Sequence, residues 1–127
     1  MESLEVYAKR WAQGQELFGT LFPTRPPYKK EGVRGDYEDY IERFGVGEVW
    51  TRPGLDAKTR CALTIAMDIP MRNYEEMETH MAMGITAGLT PDEIREILFH
   101  AVPYCGVPPV RSAWKVADKV LGGQMDS

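Results

Sequence analysis

The sequence predicts an all-α protein, a single-domain bundle of about six helices that spans residues 1–127. Apolar residues recur at spacings of three and four, which is typical of helices packed on one face. Proline, glycine and capping residues divide these stretches into short helices. No stretch alternates between apolar and polar residues over a convincing length, so strands are not expected. With 43% hydrophobic and 27% charged residues, the chain has the composition of one compact core.

The first half of the chain predicts two helices and a linker. Ser3 can cap a first helix that runs up to a loop over residues 22–32. Asp36 is predicted to cap a short second helix, and Gly45 is its expected left-handed stop. Residues 47–55 then form a linker to the next helix.

The centre of the chain predicts two helices that flank a proline. Asp56 can cap a third helix over residues 57–67, which is apolar on most faces and is therefore expected to be buried. Pro70 is predicted to separate it from a fourth helix that runs from residue 71 to about residue 86. Gly88 ends that fourth helix.

The last third of the chain begins with a strong helix start signal. Thr90 can cap the fifth helix, with Pro91 at its first position and acids in its first turn. Pro103 is predicted to close this helix. After a turn over residues 106–109, a last helix is predicted over residues 110–121.

Charge and hydropathy exclude several classes of protein. The formal net charge is −4, and the basic residues are dispersed apart from short clusters at residues 9–10 and 29–30, so nucleic acid is not an expected partner. No apolar run approaches the ~20 residues that a membrane span needs. The N-terminus lacks the apolar segment of a signal peptide. We therefore expect a soluble cytoplasmic protein with a small-molecule ligand.

His80 is the best candidate for proton transfer. It lies at the edge of an apolar helical stripe that includes Met77 and Met81, so one side of its ring can face a core while the other reaches a partner. An imidazole suits both directions of proton transfer at neutral pH. Glu76, one turn earlier, can fix its tautomer. The alternative is that His80 only packs between helices and that Glu76 is a solvated carboxylate.

Other polar residues give weaker signals. His100 also lies at a stripe edge, although a histidine near a helix end has a structural role beside the last carbonyls. An arginine near His80 would make a carboxylate-binding site, and Arg72, two turns before His80 along the predicted helix, is closest in sequence. The four arginines considered for this role are Arg52, Arg60, Arg72 and Arg111.

Metal and thiol chemistry have little support in the sequence. Neither HxxxH nor HExxH occurs, so no metal is expected at the histidines. Cys61 and Cys105 form no CxxC pair, and two buried thiols are the expected state. A thiol-dependent redox activity of these two cysteines stays open as an alternative.

Several segments together resemble the gamma-carboxymuconolactone decarboxylase family. They are residues 47–60, the 72–80 helix, the 88–96 link and the 104–108 turn. The similarity extends in order from about Tyr37 to Leu121, and the combination is specific for the superfamily.

The resemblance implies a fold, an activity and an assembly. The fold would be a small, alkylhydroperoxidase D-like helical subunit that forms a homo-oligomer, a trimer or a hexamer, and carries no cofactor. Members include the carboxy-lyase that converts 4-carboxymuconolactone to the beta-ketoadipate enol-lactone in aromatic degradation. By this resemblance, the chain would be a cofactor-independent decarboxylase of that lactone or a related activated acid, with His80 as general acid and base.

The same reading assigns residues to the substrate. Met77, Met81 and Trp50 would form a dry wall, and Arg52 or Arg72 would hold a second carboxylate. The full set of expected substrate-binding residues is Arg72, Asn73, Glu76, Met77, Trp50, Arg52 and His100.

The chain also departs from its relatives. The alkylhydroperoxidase cysteines are replaced by Asn73 and Glu76, and an upstream glutamate by Cys61, so peroxidase chemistry is not supported. Where the decarboxylases carry a basic residue and asparagines, this chain has Ala82 and the pair at residues 86–87. Fewer polar groups predict a less anionic, larger substrate. The alternative function is a differently specific or non-catalytic homologue that binds such a ligand.

Overall fold

The structure, a computed structural model, describes residues 3–23 and 31–126. Six α-helices contain most of these residues, and none of the described residues forms a strand. The predicted all-α class is therefore confirmed. A π-helical segment, Glu42–Trp50, and a short 3-10 turn, Gln124–Asp126, complete the regular structure. Most of the predicted loop over residues 22–32 lies outside the described residues. In chain order the helices are α1 (Leu4–Leu21), α2 (Gly32–Ile41), α3 (Ala57–Met71), α4 (Tyr74–Thr86), α5 (Pro91–Cys105) and α6 (Val107–Leu121).

The chain divides into two compact units, Met1–Leu55 and Asp56–Ser127. The first unit contains α1, α2 and the π-helical segment, and the second contains α3 to α6. The single domain predicted for residues 1–127 stays a prediction.

The first unit is built on a close approach between α1 and the π-helical segment. A Cβ atom on Gly14 would lie 2.6 Å from the Cα of Gly47, so a side chain at position 14 would collide with the backbone. An ion pair of 3.1 Å between Arg10 and Glu48 joins the same two elements.

Two boundaries predicted for the first unit are wrong. The second helix begins at Gly32, so Asp36 lies inside it and does not cap it. Gly45 does not stop a helix, because the chain continues as the π-helical segment, which also takes up the start of the predicted 47–55 linker. Packing against α1 overrides the local preference of the glycine for a helix end.

The second unit has one apolar core. α3 packs against α4 and α5, and α6 packs against the same two helices. Apolar residues at helical spacing on all four helices meet in this core, and eight of them have no exposed surface: Ile65, Ile69, Met77, Met81, Ile94, Leu98, Ala113 and Ala117.

Prolines were predicted to end two helices, and both helices continue past them. α3 runs through Pro70 to Met71, and α5 ends two residues after Pro103. A proline removes one backbone hydrogen bond from a helix. In the last turn this loss is tolerated, because the helix ends within two residues of the proline. The actual stops are positive φ angles, 56° at Arg72 and 85° at Gly106.

The fourth and sixth helices begin at residues other than those predicted. α4 starts at Tyr74 and not at Met71, because Arg72 is left-handed and Asn73 takes the N-cap position. α6 starts at Val107, before its two prolines, since a missing N–H is harmless in a first turn.

The predicted capping residues are confirmed where their signal was local. Ser3, Asp56 and Thr90 each accept a hydrogen bond from a backbone N–H three residues later. Glu93 completes a capping box by accepting from the N–H of Thr90. Gly122 takes the left-handed conformation at the end of α6.

Two apolar surfaces of the second unit are exposed. We call the first the α3 stripe (Leu63, Met67 and Met71, four residues apart), and we use the name α5–α6 patch for the exposed apolar side chains at the end of α5 and the start of α6 (Phe99, Val102, Tyr104 and Val107). The α3 stripe corrects the prediction that this helix is buried on most faces, because Met67 is 61% and Met71 is 73% exposed. No helix in the described ranges has both the length and the apolarity to cross a membrane.

Candidate functional site

His80 lies in α4 at the boundary between the core and the surface. Met77 and Met81, its neighbours on the apolar stripe, are fully buried. The His80 side chain keeps 22% of its surface exposed. This is the stripe-edge position that the helical spacing predicts. The ring is therefore supported by the core on one side and accessible on the other.

A carboxylate that the sequence pattern did not reveal holds the imidazole of His80. Asp68, in the last turn of α3, is 4% exposed, and its Oδ2 lies 2.5 Å from His80 Nδ1. Its Oδ1 accepts a hydrogen bond from the side-chain Nδ2 of Asn73 at 3.2 Å. Both oxygens of this buried acid are thus satisfied, which burial of a charge requires.

The sequence carries a signal for Asp68 that the predicted helix bounds concealed. Asp68 is the one charged residue in the run from Ile65 to Met71. An acid on the buried face of a helix needs a partner. The sequence predicts that the third helix ends at residue 67, which places Asp68 in the connection before the fourth helix and not on a buried helical face. Its partner His80 lies on another helix, twelve residues away in sequence.

Residues around the start of α4 differ from their predicted roles. Asp68 occupies the tautomer-fixing position on His80 Nδ1 that was considered for Glu76, and Glu76 itself is exposed. Arg72 is exposed and lies outside α4, so it is not two turns before His80 along one helix. Asn73 is the predicted site residue that the structure brings into the His80 cluster, through Asp68.

The other predicted site residues lie in three places. Met77 belongs to the core of the second unit and lies three residues before His80 in α4. His100 is exposed on α5, and its ring centroid lies 5.4 Å from that of Tyr104. Trp50 and Arg52 belong to the first unit. The substrate contacts assigned to these four site residues stay predictions.

The cysteines do not form a reactive pair. Cys61 and Cys105 are both free thiols, and the expectation that both are buried is wrong for Cys105, which is half-buried near the end of α5. Cys61 is 1% exposed, and burial raises the pKa of its thiol from 9.0 to about 11. A thiol with that pKa is a poor nucleophile at neutral pH. Across the described parts of the chain, no three His, Cys, Asp or Glu side chains gather as a potential metal-binding group.

An apolar groove of about 420 Å³ opens at the end of α5 and along α6. His80 is not among its lining residues, and Arg111 is the one of the four considered arginines that lines it. Its volume is in the range of small-molecule sites. The groove adjoins the α5–α6 patch, with which it shares Val102 and Val107. The lining residues are Val102, Val107, Val110, Arg111, Trp114 and Lys115.

Comparison with known proteins gives one matching family. Residues 35–119 match the family model described as the carboxymuconolactone decarboxylase family. This range contains α3 to α5, most of α6 and the whole cluster of Asp68, Asn73 and His80.

Two similar proteins are named as decarboxylases. The chain is 32% identical over 117 residues to the 4-carboxymuconolactone decarboxylase of Acinetobacter baylyi, an alignment that covers 89% of this chain and 87% of the relative. It is 33% identical over 113 residues to the nitrosuccinic acid decarboxylase of Metarhizium robertsii, covering 89% of this chain and 76% of that relative.

Proposed function

This chain belongs to the carboxymuconolactone decarboxylase family and is a carboxy-lyase, and from that premise we propose its substrate class and its proton donor. The substrate is 4-carboxymuconolactone or a related activated carboxylic acid, as in the beta-ketoadipate branch of aromatic degradation. The reaction needs no cofactor. His80 is the general acid and base. The free thiols Cys61 and Cys105 support a reducing, cytoplasmic location.

The contact between His80 and Asp68 carries this proposal. A histidine that only packs between helices needs no buried acid, and a buried acid is retained only with close partners. Here the acid lies 2.5 Å from the ring, while 22% of the His80 side chain remains exposed. This combination of a fixed ring and an accessible edge suits a residue that exchanges a proton with a bound molecule.

The proposed step balances without a cofactor. The bond between carbon and the carboxylate breaks, carbon dioxide leaves, and the electron pair moves into the conjugated lactone carbonyl. The enolate that results takes one proton on carbon from the imidazolium of His80. The ring then takes a proton from water. The apolar side chains behind the ring, Met77 and Met81, reduce hydration on that side, which favours loss of a charged carboxylate.

The substrates named for the two relatives share one chemical feature. A lactone and a nitro-substituted acid both place an electron-accepting group where it can take the electrons of a departing carboxylate. We propose that this chain requires the same feature. The uncharged Ala82, two residues after His80, and residues 86–87, about two helical turns after it, support a less anionic substrate than the lactone.

A substrate panel tests the proposal. Purified protein is incubated with 4-carboxymuconolactone, with nitrosuccinate and with succinate, which lacks an electron-accepting group, and carbon dioxide release is measured. We expect release from at least one activated acid and none from succinate. Binding of an activated acid without release would contradict the enzymatic proposal and favour a ligand-binding homologue.

We further propose that the chain forms a homo-oligomer, either a trimer or a hexamer. The α3 stripe and the α5–α6 patch support this, because large exposed apolar surfaces are typical of subunit interfaces. Sedimentation velocity should give a particle several times the 14.4 kDa chain mass. Met67→Glu and Tyr104→Glu, one in each surface, should shift it towards the monomer. A wild-type monomer at micromolar concentration would refute the proposal.

A further inference from the structure

The cluster of Asp68, Asn73 and His80 has a fixed direction of hydrogen bonding. A carboxylate accepts hydrogen bonds and donates none. The Asn73 amide nitrogen donates to Oδ1 at 3.2 Å, and Oδ2 faces His80 Nδ1 at 2.5 Å. Nδ1 must therefore carry a proton to satisfy the second oxygen. The other ring nitrogen, Nε2, is left to gain or lose the proton that reaches the substrate.

We propose that Asp68 is a positioning residue, clamped by Asn73, that fixes His80 in the Nδ1–H tautomer and makes Nε2 the atom that exchanges protons. This inference deepens the proposed function and rests on it. Asp68 touches no substrate in this scheme. It acts through His80, because only a ring held in one tautomer and one orientation presents Nε2 continuously.

The behaviour of Asn73 at the start of α4 supports the clamp. Asparagine at an N-cap position ordinarily accepts a hydrogen bond from the backbone N–H of the second or third helical residue. Asn73 occupies the N-cap of α4 and makes no such bond. Its side chain donates to Asp68 instead. The start of α4 therefore has no side-chain cap from Asn73, and the side-chain amide of Asn73 instead donates to the buried carboxylate of Asp68.

The backbone before Asn73 is shaped for the same contact. Arg72 has a φ of 56°, and it is the one non-glycine residue with positive φ in the described parts of the chain. Residues other than glycine adopt this conformation when the surrounding structure requires it. The reversal lets the N–H of Asn73 donate to the backbone carbonyl of Asp68 at 3.0 Å. Asn73 is thereby bound to Asp68 through both its backbone and its side chain.

Nitrogen NMR of the wild-type protein tests the tautomer directly. The chain has two histidines, so labelling with ¹⁵N-histidine gives two ring systems, and His100→Ala assigns them. In the neutral ring of His80, we expect the proton on Nδ1 and none on Nε2. A neutral His80 ring protonated on Nε2 would overturn the inference, whatever the activity.

Substitutions of Asp68 and Asn73 test what each of these two residues contributes to the tautomer and the activity of His80. Asp68→Asn leaves one acceptor oxygen for two donors, so we expect the proton of the neutral ring to move to Nε2. With that change kcat should fall by ~100-fold or more at nearly constant KM, the scale of losing a general acid–base. Asn73→Ala should keep the Nδ1–H tautomer, because the carboxylate of Asp68 still only accepts, and should give a smaller loss of kcat because the carboxylate is less firmly held. Glu75→Gln, which removes an exposed carboxylate from the same helix, should change neither property.

The outcomes separate this inference from the proposed function. A tautomer that depends on Asp68 in a protein without decarboxylase activity would support the clamp and refute the proposed function. Activity that requires His80, together with an Nε2–H ring in the wild type, would support the proposed function and refute the clamp. Asp68→Asn with an unchanged Nδ1–H ring would also refute the clamp. If Asp68→Asn does not fold, the wild-type spectrum still decides, because it shows directly which ring nitrogen of His80 carries the proton.

Discussion

Replacement of His80 is expected to slow carbon dioxide release by ~100-fold or more while the helical fold is kept. Among the described residues, the His80 ring is the one titratable group in hydrogen-bonding distance of the buried Asp68 carboxylate. The His80 side chain is 22% exposed. Without it, the carbanion left by decarboxylation takes its proton from water, which is not positioned. The measurement is kcat for the best substrate of the panel, with circular dichroism to confirm the fold.

Two replacements separate the catalytic loss from a structural one. His80→Ala also leaves one oxygen of a buried acid without its partner, which costs about 1–3 kcal/mol of folding free energy. His80→Asn retains a side-chain N–H that can donate to Asp68, so it should be the more stable of the two. Both should be equally inactive. An active His80→Asn enzyme would exclude the histidine as the proton donor.

The second large effect is expected on stability, from Met77→Ala. Met77 has no exposed surface in the core between the helices of the second unit. Truncation of a fully buried methionine costs about 2–5 kcal/mol, from lost burial and from the cavity that remains. Urea denaturation followed by circular dichroism measures this loss. The sequence-based role of Met77 as a substrate wall predicts a smaller loss of stability and a raised KM.

Ile85→Ala is the matched control for that experiment. Ile85 belongs to the same helix, α4, yet it is 40% exposed. Its truncation should cost less than about 1 kcal/mol. Equal losses at both positions would contradict the buried placement of Met77.

Much of the fold could be predicted because its signals are local. The caps at Ser3, Asp56 and Thr90 need only residues within one turn, and each forms as predicted. The predictions of helix boundaries were wrong where packing between elements determines the boundary. α3 runs past Pro70, and the glycine at position 45 lies inside a π-helical segment that packs on α1.

The site could be predicted only in part, because it joins two helices. His80 was identified from its place on a stripe and from the family resemblance. Its partner Asp68 lies on α3, and no spacing rule links residues on different helices. The predicted partner, Glu76, satisfied the spacing of one helical turn, but its side chain is exposed. The contact that fixes the ring required the packing of α3 against α4.

The most direct test of proton delivery by His80 is decarboxylation in deuterium oxide. The product should carry one deuterium on the carbon that becomes protonated, and wild-type enzyme should place it on one face only, because a fixed ring delivers it from one side. His80→Asn should release carbon dioxide slowly and give both configurations. Single-face delivery by His80→Asn at the wild-type rate would show that another group supplies the proton.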